Sequence, residues 1–267
     1  MVLQRDHGSS LDALAGTKYL TLPCLLVFHL RAVQRTKMRL VHSHCTGILS
    51  SRIAIRNSIN QLTKICTSHL TPELKLRLIT PESHLWKCKP EDCPFVDPFW
   101  GFYWAGGQAV TRFILDNAAI FRGSNVLDVG SGCGASAIAA ARAGAVNVFA
   151  NDIDRIACEA VSINSHLNSV KIHIVNHNIL ASSEQINNMD ILIVGDMFYD
   201  SEFGSMILNW LLNQRKRSRI FIGDPGRHGL LQVSKSLSLT LLAEYQLSDQ
   251  TVMENNGFKT SAVWEMS

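Results

Sequence analysis

Residues 126–154 read VLDVGSGCGASAIAAARAGAVNVFANDID. An apolar run reaching Asp128 meets Gly130, Gly132 and Gly134, an Ala-rich segment follows, and a second apolar run, Val146 to Ala150, leads to Asp152. This order predicts a strand, a glycine turn, a helix and a second strand with an acid at its tip. Glycines let the backbone bend tightly and approach a ligand closely, and an acid about 20 residues on is placed for the two hydroxyls of a ribose. The chain is therefore expected to form an α/β sheet that holds a nucleoside-containing cofactor at its strand ends.

The glycine spacing alone leaves three readings open: a methyl donor, a dinucleotide, or a turn that serves packing only. Gly130, Gly132 and Ala135 satisfy the loose dinucleotide pattern G-x-G-x-x-G/A. Asp128 favours the methyl donor. A dinucleotide sets its anionic pyrophosphate against the helix N-terminus, where a carboxylate two residues before the first glycine is a poor neighbour. S-adenosylmethionine carries no phosphate and presents a sulfonium and an α-ammonium, both of which suit a carboxylate.

At 267 residues, 46% hydrophobic and 18% charged, the chain exceeds what one catalytic domain of this kind needs. The surplus lies in residues 1–60. This extension holds eight basic residues, the last two being Arg52 and Arg56, against two acids, Asp6 and Asp12, with many Ser and Thr. Such a composition is that of a mitochondrial targeting segment, with a solvated basic tail or a misplaced start codon as alternatives. The expected division is thus 1–60 extension and 61–267 catalytic domain. The block Leu20 to Leu30 is interrupted by Pro23 and His29 and is far short of the roughly 18 residues that span a bilayer, so no membrane partner is expected. A net charge of +3 does not argue for nucleic acid. The seven cysteines lack any C-x-x-C pair, and Cys88 and Cys93 find no second pair to complete a zinc site, so no metal is expected and the thiols read as free.

Beyond the turn, strand and helix patterns alternate. The periodicity predicts a helix over 155–167 and a strand over 170–175, then a doubly buried strand over 190–195 and a helix over 201–214. A strand over 219–223 and a helix over 229–236 follow, and two final strands, 237–246 and 260–266, are expected to pair antiparallel without an intervening helix. The fold class is α/β, a doubly wound, mostly parallel seven-stranded sheet whose last two strands form an antiparallel pair, similar to the Rossmann-like seven-strand methyltransferases.

Ligands in such sheets lie beyond the C-terminal strand ends. After the third strand comes Asn178, an amide for the adenine edge or else a turn former. The fourth strand ends in Gly195-Asp196-Met197-Phe198-Tyr199-Asp200 and the fifth in Gly223-Asp224-Pro225-Gly226-Arg227. An acid followed three residues later by a phenol is similar to the D/E-x-x-Y/F motif of protein-lysine methyltransferases. A lysine amine attacks only when neutral, and from an aqueous pKa near 10.4 deprotonation costs about 3 kcal/mol at mildly alkaline pH. Asp196 is expected to orient that amine and Tyr199 to wall its channel; the alternative for Asp196, and more so for Asp200, is a helix cap. Upstream, Phe99-Trp100-Gly101-Phe102-Tyr103-Trp104-Ala105-Gly106-Gly107 is either a core staple or a lid that lays Trp104 against the cofactor.

LTPELKLRLIT at 70–80, YWAGGQA at 103–109, VLDVGSGCGASAIAA at 126–140, ANDID at 150–154, GDMFYD at 195–200 and IGDPGR at 222–227 together resemble the mitochondrial lysine methyltransferases of the electron transfer flavoprotein β-subunit. The resemblance runs from about Leu70 to the C-terminus. It implies methyl transfer from S-adenosylmethionine to lysines of that subunit, in the mitochondrial matrix. It places Asp128, Gly130 and Gly132 at the methionine end of the cofactor, Asp152 at the ribose, Asn178 near the adenine, and Asp196 with Tyr199 at the target lysine. Ala105 stands where the family usually has proline. The rival functions are methylation of another protein, such as a ribosomal protein, a small-molecule methyltransferase, and a non-catalytic cofactor-binding assembly factor.

Overall fold

The computed structural model describes residues 51–89, 92–181, 188–234 and 238–267. The basic segment before Ser51, with Cys24, Cys45 and the apolar block at 20–30, lies outside the described residues.

Seven strands form one sheet: β3 (Asn125–Val129), β4 (Asn147–Asn151), β5 (His173–Val175), β6 (Ile191–Gly195), β7 (Arg219–Asp224), β8 (Leu239–Gln246) and β9 (Thr260–Met266). Their spatial order is β5-β4-β3-β6-β7-β9-β8. The chain winds outward from β3 to β4 and β5, then crosses back to lay β6 on the other side of β3, and both neighbours of β3 run parallel to it. This reversal opens a crevice at the C-terminal end of β3, the position at which doubly wound sheets bind ligands. The central strands read as continuous apolar runs, NVLDV and ILIVG, because helices cover both faces.

The last two strands pair antiparallel as expected, but β9 also inserts between β7 and β8, antiparallel to each. The expectation of a helix-free connection is corrected: α9 (Asp249–Glu254) lies between them, capped by Ser248, whose side chain accepts the Thr251 amide hydrogen bond. Only Thr251 of this six-residue helix is buried, so it left no hydrophobic period to detect.

Helices α5 (Ala135–Arg142), α6 (Arg155–Leu167) and α7 (Ser201–Gln214) follow β3, β4 and β6. The expected 229–236 helix is α8, His228–Ser234; residues 235–237 lie outside the described set. Before the sheet come α1 (Arg52–Leu62), a hairpin of β1 (Lys64–Cys66) with β2 (Leu76–Leu78), the short α2 (His84–Lys87), a 3-10 turn at Phe99–Gly101, α3 (Ala105–Asp116) and α4 (Ala118–Phe121). Ile55 and Ile59 of α1 join Ile79, Trp86, Phe95, Trp100 and Phe102 in a core against Ala157, Ala160 and Ile163 of α6. Arg52 and Arg56 both pair with Glu159 of α6. The expected boundary at 60/61 thus falls inside a helix packed on the catalytic fold. No helix among the described residues is long and apolar enough to cross a membrane.

Candidate active site

The turn after β3 is built from three residues with positive φ: Gly130 at 64°, Gly132 at 52° and Gly134 at 81°. An L side chain costs about 1–2 kcal/mol in that region, so the turn requires glycine. A β-carbon at Gly130 would also overlap the Met197 thioether, which lies directly on this backbone. The tip of β4 supports the turn. Asp152 accepts the Gly132 amide at 3.0 Å through Oδ2 and the Asp154 amide at 2.9 Å through Oδ1, and the Asn151 carbonyl accepts the Ser131 amide at 2.9 Å.

Asp128 is buried, and its Oδ2 accepts the Ala137 amide, at 3.1 Å, in the first turn of α5. Burial pushes its carboxyl up to about 8, against that hydrogen bond. The helix end that would face a pyrophosphate is thus already served by a carboxylate, whereas a cationic group arriving here would stabilise the ionised acid. Burial also raises Asp152, against the two amides it accepts. A carboxylate oxygen offers two lone pairs, so each Asp152 oxygen that accepts an amide retains one for a ribose hydroxyl. The glycine cradle and the two acids therefore fit a cationic nucleoside cofactor. Asn178 lies past β5 with Oδ1 accepting the Leu180 and Ala181 amides at 3.0 and 3.3 Å, the turn-forming geometry that was the alternative to adenine recognition.

At the end of β6, Asp196 takes the unusual φ of 61°. Its Oδ2 accepts the Gly106 amide at 2.7 Å, and its Oδ1 is ion-paired with Arg227 Nε; both side chains are buried. Arg227 in turn lies 5.9 Å from the Trp104 ring centre and 5.3 Å from that of Phe258, a cation clasped by two aromatics. Tyr199 is 40% exposed and stacks on Phe203 at 5.2 Å. Asp200 is the cap of α7, accepting the Glu202 and Phe203 amides. Asp196 does not cap α7; its carboxylate accepts a first-turn amide of α3 and so joins the tips of β6 and β7 to the start of that helix.

The aromatic segment divides. Trp100, Phe102 and Tyr103 are core residues, as the staple reading expects. Trp104 is half-buried, donates its indole N–H to the Phe99 carbonyl at 2.9 Å, and faces Arg227. The Trp100 backbone is what passes beside Gly132.

A family model described as ribosomal protein L11 methyltransferase (PrmA) matches residues 111–196, from α3 to Asp196. The chain is 43% identical over 212 residues to the electron transfer flavoprotein beta subunit lysine methyltransferase of Xenopus laevis, covering 78% of this chain and 85% of that protein. The Mus musculus protein of the same name is 44% identical over 211 residues, covering 78% and 82%. The chain belongs to this lysine methyltransferase family. A Caenorhabditis elegans homolog in it is 39% identical over 233 residues, 79% of this chain and 93% of that protein. By contrast, the ribosomal protein L11 methyltransferase of Pelotomaculum thermopropionicum matches over 80 residues, 25% of its length.

Within this lysine methyltransferase, three parts of the site were not assigned from sequence. Arg227 closes the IGDPGR motif, but nothing local ties it to Asp196, 31 residues earlier. Asp224, buried at the tip of β7, accepts the Gly226 and Arg227 amides through Oδ1, and burial together with the neighbouring Asp196 pushes its carboxyl up to about 7. Its position at a strand end before Pro-Gly was the available signal. Met197, between the acid and the phenol of the D-x-x-Y motif, covers the glycine turn.

Proposed function

We propose that this chain transfers methyl groups from S-adenosylmethionine to lysine side chains of the electron transfer flavoprotein β-subunit in mitochondria. The reading rests on family membership, and on one observation above the rest. Asp196 and Tyr199 follow β6, and Met197 of the same motif lies on Gly130, so the acid and phenol sit next to the cofactor cradle.

The bound cofactor would supply an electrophilic methyl group to a neutral lysine amine that has already given its proton to solvent, the sulfonium leaving as the neutral thioether. In this reading Gly130 and Gly132 give the backbone approach, Asp128 balances the cationic methionine end, and Asp152 takes the ribose hydroxyls. Asp196, already held by Gly106 and Arg227, presents a fixed carboxylate that orients the amine. A site fixed before binding costs little reorganisation at the moment of reaction. Tyr199 and Phe203 form the exposed aromatic wall along which the aliphatic lysine stem enters. The basic residues before Ser51 support mitochondrial targeting by composition.

The test is incubation with labelled S-adenosylmethionine and either purified β-subunit or a mitochondrial extract, followed by mass spectrometry. Methyl-lysine on that subunit, lost in Asp196→Asn, is the expected result. Cofactor binding with no methylation of any mitochondrial protein would replace this reading with the assembly-factor one.

A further inference from the structure

A second concavity lies beside the site. A cavity of about 400 Å³ opens between the end of β7, α8 and the β8–β9 pair. Its walls include Leu230, Leu231 and Trp264, and it is also lined by Asp224, Ser261 and Glu244. Asp224 is 1% exposed, and its Oδ2 has no hydrogen-bond partner. Buried polar atoms in folded proteins almost always have partners, and an orphan carboxylate oxygen is among the most costly exceptions. Asp224 keeps its other oxygen on the Gly226 and Arg227 amides, so its orientation is fixed.

Register places the second acid. Asp224 and Glu244 both pair with Ala262 of β9, from opposite sides, which puts all three side chains on one face of the sheet. Glu244 is exposed, at the rim, and Asp224 is buried. Apolar walls leading past a rim acid to a buried, underused carboxylate match a cation on an aliphatic stem, the chemistry of lysine and arginine side chains. A purely apolar ligand would leave Asp224 Oδ2 unsatisfied, and an anion would meet two carboxylates. The cavity also adjoins the active site: the Asp196 amide donates to the Gly223 carbonyl at 2.8 Å, one residue before Asp224.

We propose that this cavity binds a second basic side chain of the protein substrate, distinct from the lysine being methylated, and so sets which lysines are presented to Asp196. This rests on the protein-lysine methyltransferase reading above. Asp224 supplies the charge-assisted acceptor, Glu244 draws the cation to the rim, and Leu230, Leu231 and Trp264 pack its stem.

Initial rates with saturating labelled S-adenosylmethionine and varied flavoprotein β-subunit test it in the full chain. Asp224→Asn keeps the acceptor used by Gly226 and Arg227 and removes only the charge; Ala262→Leu fills the cavity from its floor. Both variants are expected to raise KM for the β-subunit about 10-fold or more, the worth of one charge-assisted contact, and Ala262→Leu, which leaves Asp224 and its amide contacts in place, is expected to keep kcat and the Kd for S-adenosylmethionine within about twofold of the parent. An unchanged KM in both overturns the proposal. A separate NMR titration uses n-butylammonium as probe and n-butanol as neutral control. Shifts at the Trp264 indole with the amine alone, absent in Asp224→Asn, support the site, and equal response to the two probes overturns it. Because this titration needs no turnover, failure of the parent enzyme to methylate the β-subunit would count against the substrate reading and leave the cavity separately decided.

Discussion

Asp196 combines a left-handed backbone, a buried ion pair with Arg227 and a hydrogen bond from Gly106. The choice of substitution therefore matters. Alanine at φ 61° adds about 1 kcal/mol of backbone strain, whereas asparagine tolerates that region and keeps an acceptor for Gly106. Asp196→Asn is expected to reduce kcat about 100-fold or more with Kd for the cofactor unchanged, and to lower stability by about 1–3 kcal/mol because the buried Arg227 loses the negative charge of Asp196. Adding Arg227→Met should return most of that stability and none of the activity; urea denaturation of both variants checks the pair, and equal stability of the single and double variants would refute it. Asp128 gives a pH prediction. Burial holds its carboxyl at about 8 in the free protein, so it is largely protonated at pH 7. A cationic cofactor binds the ionised form and lowers that value, so affinity should rise as pH climbs from about 6 to about 7.5, below the range in which a free α-ammonium loses its own proton. Calorimetry across that range should show the rise in the parent and not in Asp128→Asn. The residues whose placement was legible from sequence are those at strand ends: Gly130, Gly132 and Asp152 meet at the turn after β3, and Asp196 follows β6. Arg227 was illegible because a buried ion pair across two strand tips depends on sheet order, which no local pattern encodes.

Helix α3 opens within the aromatic segment for which a core staple and a lid were both expected. Its Gly-Gly pair lies in the helix and lets the first turn touch the sheet backbone. A β-carbon at Gly106 would collide with the Gly223 carbonyl oxygen, and one at Gly223 with the Gly106 carbonyl oxygen. Gly106→Ala and Gly223→Ala are each expected to cost about 2–3 kcal/mol by overpacking. Since either forces the same two backbones apart, the double variant should fall short of the sum, measured as a double-mutant cycle in urea; strict additivity would show that the two contacts are independent. Elements with a strong period, α6 over 155–167 and α7 over 201–214, were readable to the residue. The six-residue α9 and the insertion of β9 between β7 and β8 were not, because one lacks an apolar face and the other is a matter of pairing between distant strands.

For the whole molecule, composition draws a line near residue 60 and packing draws it earlier. Charge and Ser content mark 1–60 as one segment, since Arg52 and Arg56 extend the basic run without a break. In the fold these two arginines belong to α1, on the side of Glu159, and Ile55 and Ile59 from the same helix are buried against α6. The ion pairs contribute little, because Arg52 is largely exposed and Arg56 partly so. The isoleucines contribute more, about 1.5–3 kcal/mol each on burial. A chain beginning at Ser51 retains the cap of α1 and both isoleucines. A chain beginning at Thr63 forfeits both isoleucines and uncovers Ile163, a loss of about 3–6 kcal/mol, or roughly 10–20 °C in Tm for a domain of this size. Thermal unfolding of the two truncations decides between the boundaries: equal midpoints would return the boundary to residue 60, whereas the predicted gap would mean that α1 is part of the catalytic fold.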